Sequence, residues 1–287
     1  MKFAFSSNAF RKYSLEETIS IVSGAGFRGI EIMADVPHAW PPDLKPSDRG
    51  RILRCLKDHQ MEVSNINAFM MCAIQDFHHP SWIEKEREFR QLRIKHTIDC
   101  IYLAADLGAK TISTEPGGPI DLSSRKGADY DKDWKEALDL FVDGINQVIP
   151  HAKKAGVRVL VEPEPDLLIQ RSEEFLQFIG EVDQDVVGMN FDVGHFYCVN
   201  EDPAGLIEKM WPYIGHFHLE DIAATREHVH LALGKGAIDL RRVLSSIKGK
   251  GYTGYVTVEL YPYQEDPGDI ARQTMAYLKE WESAIHD

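Results

Sequence analysis

Three carboxylates and one imidazole stand late in four successive strand-like runs: Glu162 closes VRVLVE, Asp192 closes GMNFD, His218 lies in HFHLE and Glu259 in YVTVEL. Their spacings are 30, 26 and 41 residues. Side chains alternate across a strand. In these runs an apolar set (Val157, Val159, Val161; Met189, Phe191; Phe217, Leu219; Val256, Val258, Leu260) opposes a polar set carrying the ionisable residue. Taken singly, these residues have ordinary roles open to them: a strand-end surface carboxylate, a helix cap, a core histidine, a salt-bridge partner. Taken together, their parity and order bring them to one place. Carboxylates crowded within a few ångströms force protonation of one of them unless a cation intervenes. The quartet is therefore read as a divalent-metal site, and its mixed oxygen and nitrogen donors suit Mn, Zn, Co or Mg.

Positioning these groups requires a repeating scaffold. Strand-like runs at 2–7, 29–34, 62–69, 111–117, 157–165, 187–196, 216–221 and 255–261 alternate with helical patterns at 14–26, 47–60, 83–108, 133–156, 171–182, 203–214, from Asp239, and 268–285. Ser14 with Glu17, and Ser172 near Glu174, signal helix starts; Gly26, Gly108, Gly156 and Gly251 signal stops. Eight βα units predict an α/β fold, a (β/α)8 TIM barrel occupying residues 1–287 as a single domain, with a doubly wound sheet plus extra lobe as the alternative. In a barrel the quartet meets at the C-terminal mouth, where active sites of this fold lie.

Composition narrows the partners. Lys and Arg number 32 against 45 Asp and Glu, a net charge of -13, so nothing attracts a phosphodiester backbone or an anionic membrane. No apolar run approaches a membrane span, and MKFAFSSNAFRKY has no continuous apolar leader core. Cys55, Cys72, Cys100 and Cys198 form no CxxC pair and are read as reduced, buried thiols. The expectation is a cytoplasmic enzyme of a small molecule that binds neither nucleic acid nor membrane, with a homo-oligomer possible.

Further candidates line the first half of the barrel by parity: Glu31, Asn65, Asn67 and Glu115 are placed to bind sugar hydroxyls. The Gly-Gly turn after Glu115 permits close ligand approach. Trp40 in HAWPPD could cover a sugar face or pack the rim. Lys235, between Gly234 and Gly236, hints at phosphate binding, though a tight turn with an exposed lysine is the favoured reading. Trp134, His78 and His79 have no chemical account.

The segments VLVEPEP, NFDVGHF, HFHLED, LGKGAIDL and GYTGYVTVEL, with AGFRGIEI near the start, resemble in order the motifs of the sugar phosphate isomerase/epimerase families with a xylose-isomerase-like barrel. This superfamily also includes endonuclease IV-type AP endonucleases. The resemblance implies that Glu162, Asp192, His218 and Glu259 hold the metal, that Glu162 and Glu259 double as acid and base, and that His195 contacts a substrate oxygen. It implies an isomerase or epimerase of a small sugar, sugar phosphate or polyol-type ketone acting through a metal-stabilised enediolate. A metal-dependent dehydratase of a cyclic polyol or acid is the alternative, followed by an endonuclease-like phosphodiesterase and then a non-catalytic sugar-binding barrel. Epimerase members usually carry an arginine shortly after the metal histidine; here the nearest is Arg226, eight residues on, which substrate contact and a solvated loop suit equally. His228 and His230 match the spacing of a DxH pair that binds a third zinc in the endonuclease branch, with His195 as the partner. They are read as substrate- or loop-bonding, with metal ligation as the alternative.

Overall fold

The computed structural model describes residues 1–70, 72–74, 76, 79–118 and 128–284. Eight parallel strands close in chain order: β1 (Lys2–Ser6), β2 (Gly29–Met33), β3 (Glu62–Asn67), β4 (Thr111–Thr114), β5 (Arg158–Val161), β6 (Val187–Asp192), β7 (Ile214–Leu219) and β8 (Tyr255–Val258), with β8 pairing back onto β1. The closed barrel is the expected fold, and no open-sheet lobe interrupts it among the described residues.

The outer layer contains α1 (Leu15–Gly24), α2 (Pro46–Asp58), α3 (Arg87–Leu107), α4 (Ala128–Ala155), α5 (Ser172–Ile179), α6 (Val193–Cys198), α7 (Pro203–Met210), α8 (Leu240–Gly249) and α9 (Pro267–Ala284). Most helix-facing strand residues are fully buried, with Phe191 packing at ring-centroid distances of 4.6 Å on Phe196 and 5.5 Å on Phe217. Burial of this apolar layer between barrel and helices is the main driving force for the fold. The opposite set turns into the barrel and carries the polar residues, with Ala4, Met33 and Leu160 as apolar members among them.

Local signals mostly hold. Ser14 and Glu17 form a reciprocal capping box on α1. Gly108 ends α3 with φ 83° and Gly156 ends α4 with φ 66°, a conformation costly for any residue with a Cβ. Ser172 does not cap α5: Arg171 is the cap, the Glu174 carboxylate accepts from the backbone amides of Gln170 and Arg171, and Ser172 bonds Glu201 instead. The expected helix at 83–108 begins only at Arg87, and the one expected from 133 begins at Ala128. The strand-like run expected over 187–196 stops at Asp192: Val193–Cys198 form α6, a short helix set by the Asp192 cap rather than by periodicity. His78, Pro119 and residue 285 lie outside the described residues. Of the four free cysteines only Cys100 is fully buried, so the reading of all four as core residues holds for one.

The ladder slips at two places that matter for the site. Ile30 pairs with Val63 but Glu31 with Asn65, and Met189 pairs with Ile214 but Asn190 with His216. Each slip is one extra residue, a β-bulge. They set Asn65 beside Glu31 and His216 beside Asn190 inside the barrel.

Candidate active site

Glu162 follows β5, Asp192 ends β6, His218 lies in β7 and Glu259 follows β8, so four neighbouring strands carry them to the C-terminal mouth. One ligand-capable atom from each lies within 4.8 Å of all the others, and all four residues are buried. His218 Nδ1 is 3.0 Å from Glu162 Oε1, 3.7 Å from Glu259 Oε2 and 3.8 Å from Asp192 Oδ2. Burial alone would lower the His218 pKa, but Glu162, Glu31 and Glu259 override it and hold the imidazole well above its ordinary value. Burial pushes Glu162 and Glu259 up; His218 opposes that rise, and neighbouring carboxylates add to it.

The carboxylates are individually oriented. Glu162 Oε2 accepts from Asn190 Nδ2 at 2.6 Å, leaving Oε1 toward His218. Glu259 Oε1 accepts from Asn8 Nδ2 at 2.8 Å, leaving Oε2 toward His218. Asp192 divides its oxygens likewise: Oδ1 caps α6 by accepting from the His195 amide at 2.7 Å, while Oδ2 is buried without a hydrogen-bond partner. Helix cap and candidate ligand are thus one residue using different atoms. A buried carboxylate oxygen without a donor is costly. An oxygen-and-imidazole set holding such an atom fits a hard or borderline divalent ion.

Above this floor opens a cavity of about 260 Å³ whose lining includes Glu162, Glu259, His195, His228 and His230. The His195 and His230 Nδ1 atoms sit 3.0 Å from the Pro163 carbonyl oxygen and 2.9 Å from the Glu259 carbonyl oxygen. A carbonyl only accepts, so each Nδ1 carries the hydrogen and each Nε2 is left as an acceptor. Nε2 of His228 and of His230 is buried and unpartnered. The three rings cluster, His195 meeting His228 edge to face at 4.5 Å between centroids and His230 tilted against both, and ring nitrogens of all three lie within 4.8 Å of one another. Burial pushes the pKa of all three down, that of His230 to about 3.

Several expected contacts lie elsewhere. Glu115 is buried in an ion pair with Arg93 at 2.8 Å and does not line the cavity. Asn67 accepts from the Phe69 amide. Arg226 is drawn away: its guanidinium lies 3.9 Å from the Tyr197 ring centroid and bonds the Tyr197 carbonyl. The glycine amides flanking Lys235 donate to the Asp221 carboxylate, at 3.1 Å from Gly234 and 2.8 Å from Gly236, so this turn has an internal anion in place of a phosphate. Trp40 stacks on His96, Trp134 bonds the Leu168 carbonyl and His79 pairs with Glu84. Cavity residues not anticipated from sequence are Asn8, Arg11, Phe69, Glu164 and Tyr261. Glu164, two residues after Glu162 in the EPEP run, shares its parity and was available to the same argument.

Residues 19–281 match the family model for the xylose isomerase-like TIM barrel. The chain belongs to this family. Across the xylose isomerase-like group, it is 25% identical to an inosose dehydratase of Clostridium beijerinckii, covering 94% of this chain and 90% of that one. It is 23% identical to a fructoselysine 3-epimerase of Escherichia coli O157:H7, covering 96% of each. Among solved structures, a D-tagatose 3-epimerase-like protein superposes with a TM-score of 0.82 at 23% identity, over 100% of this chain and 98% of the other. The IolI protein, solved with a bound zinc atom, superposes with a TM-score of 0.77 at 20% identity, over 96% of both.

Proposed function

We propose that this chain is a divalent-metal-dependent isomerase or epimerase of a small sugar or polyol-type ketone, with Glu162 and Glu259 as its acid-base pair. The observation that carries the reading is that both carboxylates line one cavity while each keeps one oxygen tied to an amide and turns the other toward His218. Glu162, Asp192, His218 and Glu259 would hold the ion. An ion there would supply polarisation of a carbonyl and its neighbouring hydroxyl, acidifying the hydrogen on the carbon beside the carbonyl.

The protein's own groups do the rest. Glu162 and Glu259 come from strands separated by β6 and β7, so a substrate carbon held between them is reachable by both. One takes the carbon-bound proton and the other returns one, inverting the centre; a single shuttling carboxylate moves the proton between adjacent carbons instead. The histidine wall presents acceptor nitrogens, which suit hydroxyl hydrogens and orient a polyol chain. Arg11 at the rim offers donors to a distal substrate oxygen, and Phe69 and Tyr261 supply apolar faces.

The deciding experiment incubates Mn-loaded protein in heavy water with hexoketoses and inosose-type ketones and follows loss of the proton beside the carbonyl by NMR. Exchange accompanied by a new epimer or aldose is expected; no exchange with any of them counts against the reading. Dehydration is the second reading, favoured by the likeness to inosose dehydratases over most of the chain. It would appear in the same experiment as loss of water and a conjugated ketone absorbing in the ultraviolet.

A further inference from the structure

On the far side of His218 from the candidate ion position lies a second carboxylate, Glu31, contributed by β2 from across the barrel. Its Oε2 is 2.7 Å from His218 Nε2, and it is fully buried. Three donors hold it. Ser6 Oγ donates to Oε1 at 2.8 Å, Asn65 Nδ2 donates to Oε2 at 2.8 Å, and His218 supplies the third. Asn65 is itself fixed: Glu31 can only accept, so the amide nitrogen faces it, and Oδ1 on the other side accepts from Thr111 Oγ1 at 2.7 Å. The β-bulge in β3 brings Asn65 to this register.

We infer that Glu31 is a positioning residue for the metal centre: it fixes the tautomer and ring angle of His218 so that Nδ1, rather than Nε2, is offered to the ion. Both ring nitrogens face carboxylates, Nε2 at 2.7 Å from Glu31 and Nδ1 at 3.0 Å from Glu162; Glu31, held by two other donors, can only accept, so Nε2 keeps its hydrogen when Nδ1 gives its own up to an ion. Nδ1 is the nitrogen that faces Glu162, Asp192 and Glu259. A carboxylate behind a ligating histidine also makes the ring a stronger donor, and loss of such partners commonly costs about 10- to 100-fold in metal affinity. The other reading of Glu31 is purely structural, as a tie between β1, β2, β3 and β7.

This inference rests on the proposed metal site, and the test separates the two. Mn2+ is titrated into ion-free full-length protein and free Mn2+ is counted by electron paramagnetic resonance, with thermal melting recorded in parallel. The wild type should bind one ion and His218→Ala none; equal binding by those two overturns the site itself. Glu31→Ala should bind roughly 10- to 100-fold more weakly while still melting cooperatively. Glu31→Gln, whose amide oxygen can still accept while its NH2 faces a rotatable Ser6 hydroxyl, should lose only a few-fold. Glu31→Asp, too short to reach Nε2, should resemble the alanine variant. Should Glu31→Ala fail to fold, the other two decide. Glu31→Asp binding as tightly as wild type, or a lower melting temperature with unchanged affinity in any folded variant, overturns the inference.

Discussion

The Asn8 side-chain amide donates to Glu259 Oε1 at 2.8 Å across 251 positions of sequence, joining the turn after β1 to the end of β8. The bond decides which oxygen of Glu259 faces the cavity floor, because Oε2 is left 3.7 Å from His218 Nδ1. Hydrogen bonds to charged groups contribute about 1.5–3 kcal/mol, so Asn8→Ala should slow proton exchange by roughly 10- to 100-fold while leaving the barrel folded. Exchange at the wild-type rate would mean that the bond has no part in setting Glu259.

Ion binding should depend on the quartet. Asp192→Ala removes the unpartnered Oδ2 together with the cap of α6, and His218→Ala removes the only nitrogen donor in the set. Elemental analysis after purification should find one divalent ion per wild-type chain and a small fraction of that in either variant. Stoichiometric metal in both would remove the ligand assignment.

The ion-free protein should become less stable as pH rises above neutrality. His218 is held well above its ordinary 6.5, so its contribution is complete below that value and disappears as pH climbs through the folded one. Burial and neighbouring carboxylates hold Glu164, Glu220 and Glu259 well above 4.5; their folded forms bind the extra protons, which again favours folding at low pH. Below about pH 7.5 the buried histidines with lowered pKa values, such as His195, His228 and His230, work the other way; above it the melting temperature of ion-free protein should fall as pH rises, and the rise produced by added Mn2+ should grow over the same range as the proton on His218 yields to the ion. A melting temperature that climbs with pH over that range in the absence of ion would contradict this.

Asp221 organises the loop that carries His228 and His230. Its carboxylate accepts from the amides of Ile222, Gly234, Gly236 and Ile238. Its backbone pairs with Leu231, next to His230. Asp221→Ala leaves these amides without their acceptor and should lower stability by about 3 kcal/mol in urea denaturation. Asp221→Asn, which keeps one acceptor oxygen, should lose less; equal losses would argue against the carboxylate's role.

The quartet was readable because helix-facing positions must be apolar, so strand parity exposed which residues turn inward. What escaped had no such constraint. Asn8 and Arg11 lie in a 3-10 turn, and Arg226 in an irregular loop that leads it to Tyr197. Glu115 looked available because its partner, Arg93, sits on α3 and no periodic pattern links the two. Glu31 has the right parity, but its neighbours do not show in the sequence: the bulge in β3 sets Asn65 beside it, and barrel closure brings it to His218.

The two glutamates allow chemistry to be separated from coordination. Glu162→Gln and Glu259→Gln preserve side-chain shape and can still accept from Asn190 and Asn8 through the amide oxygen. An amide oxygen can bind a divalent ion weakly but cannot take a proton from carbon. Each variant, measured at an Mn2+ concentration that saturates it, should lose about 10²- to 10⁴-fold in deuterium wash-in beside the carbonyl. The two losses should not multiply in the double variant if both groups serve one proton transfer. A route with one shuttling carboxylate predicts unequal effects, with one variant nearly silent; a route through both predicts that each single variant fails. Wild-type exchange in both metal-replete variants would leave Glu162 and Glu259 as ligands alone and remove the acid-base mechanism.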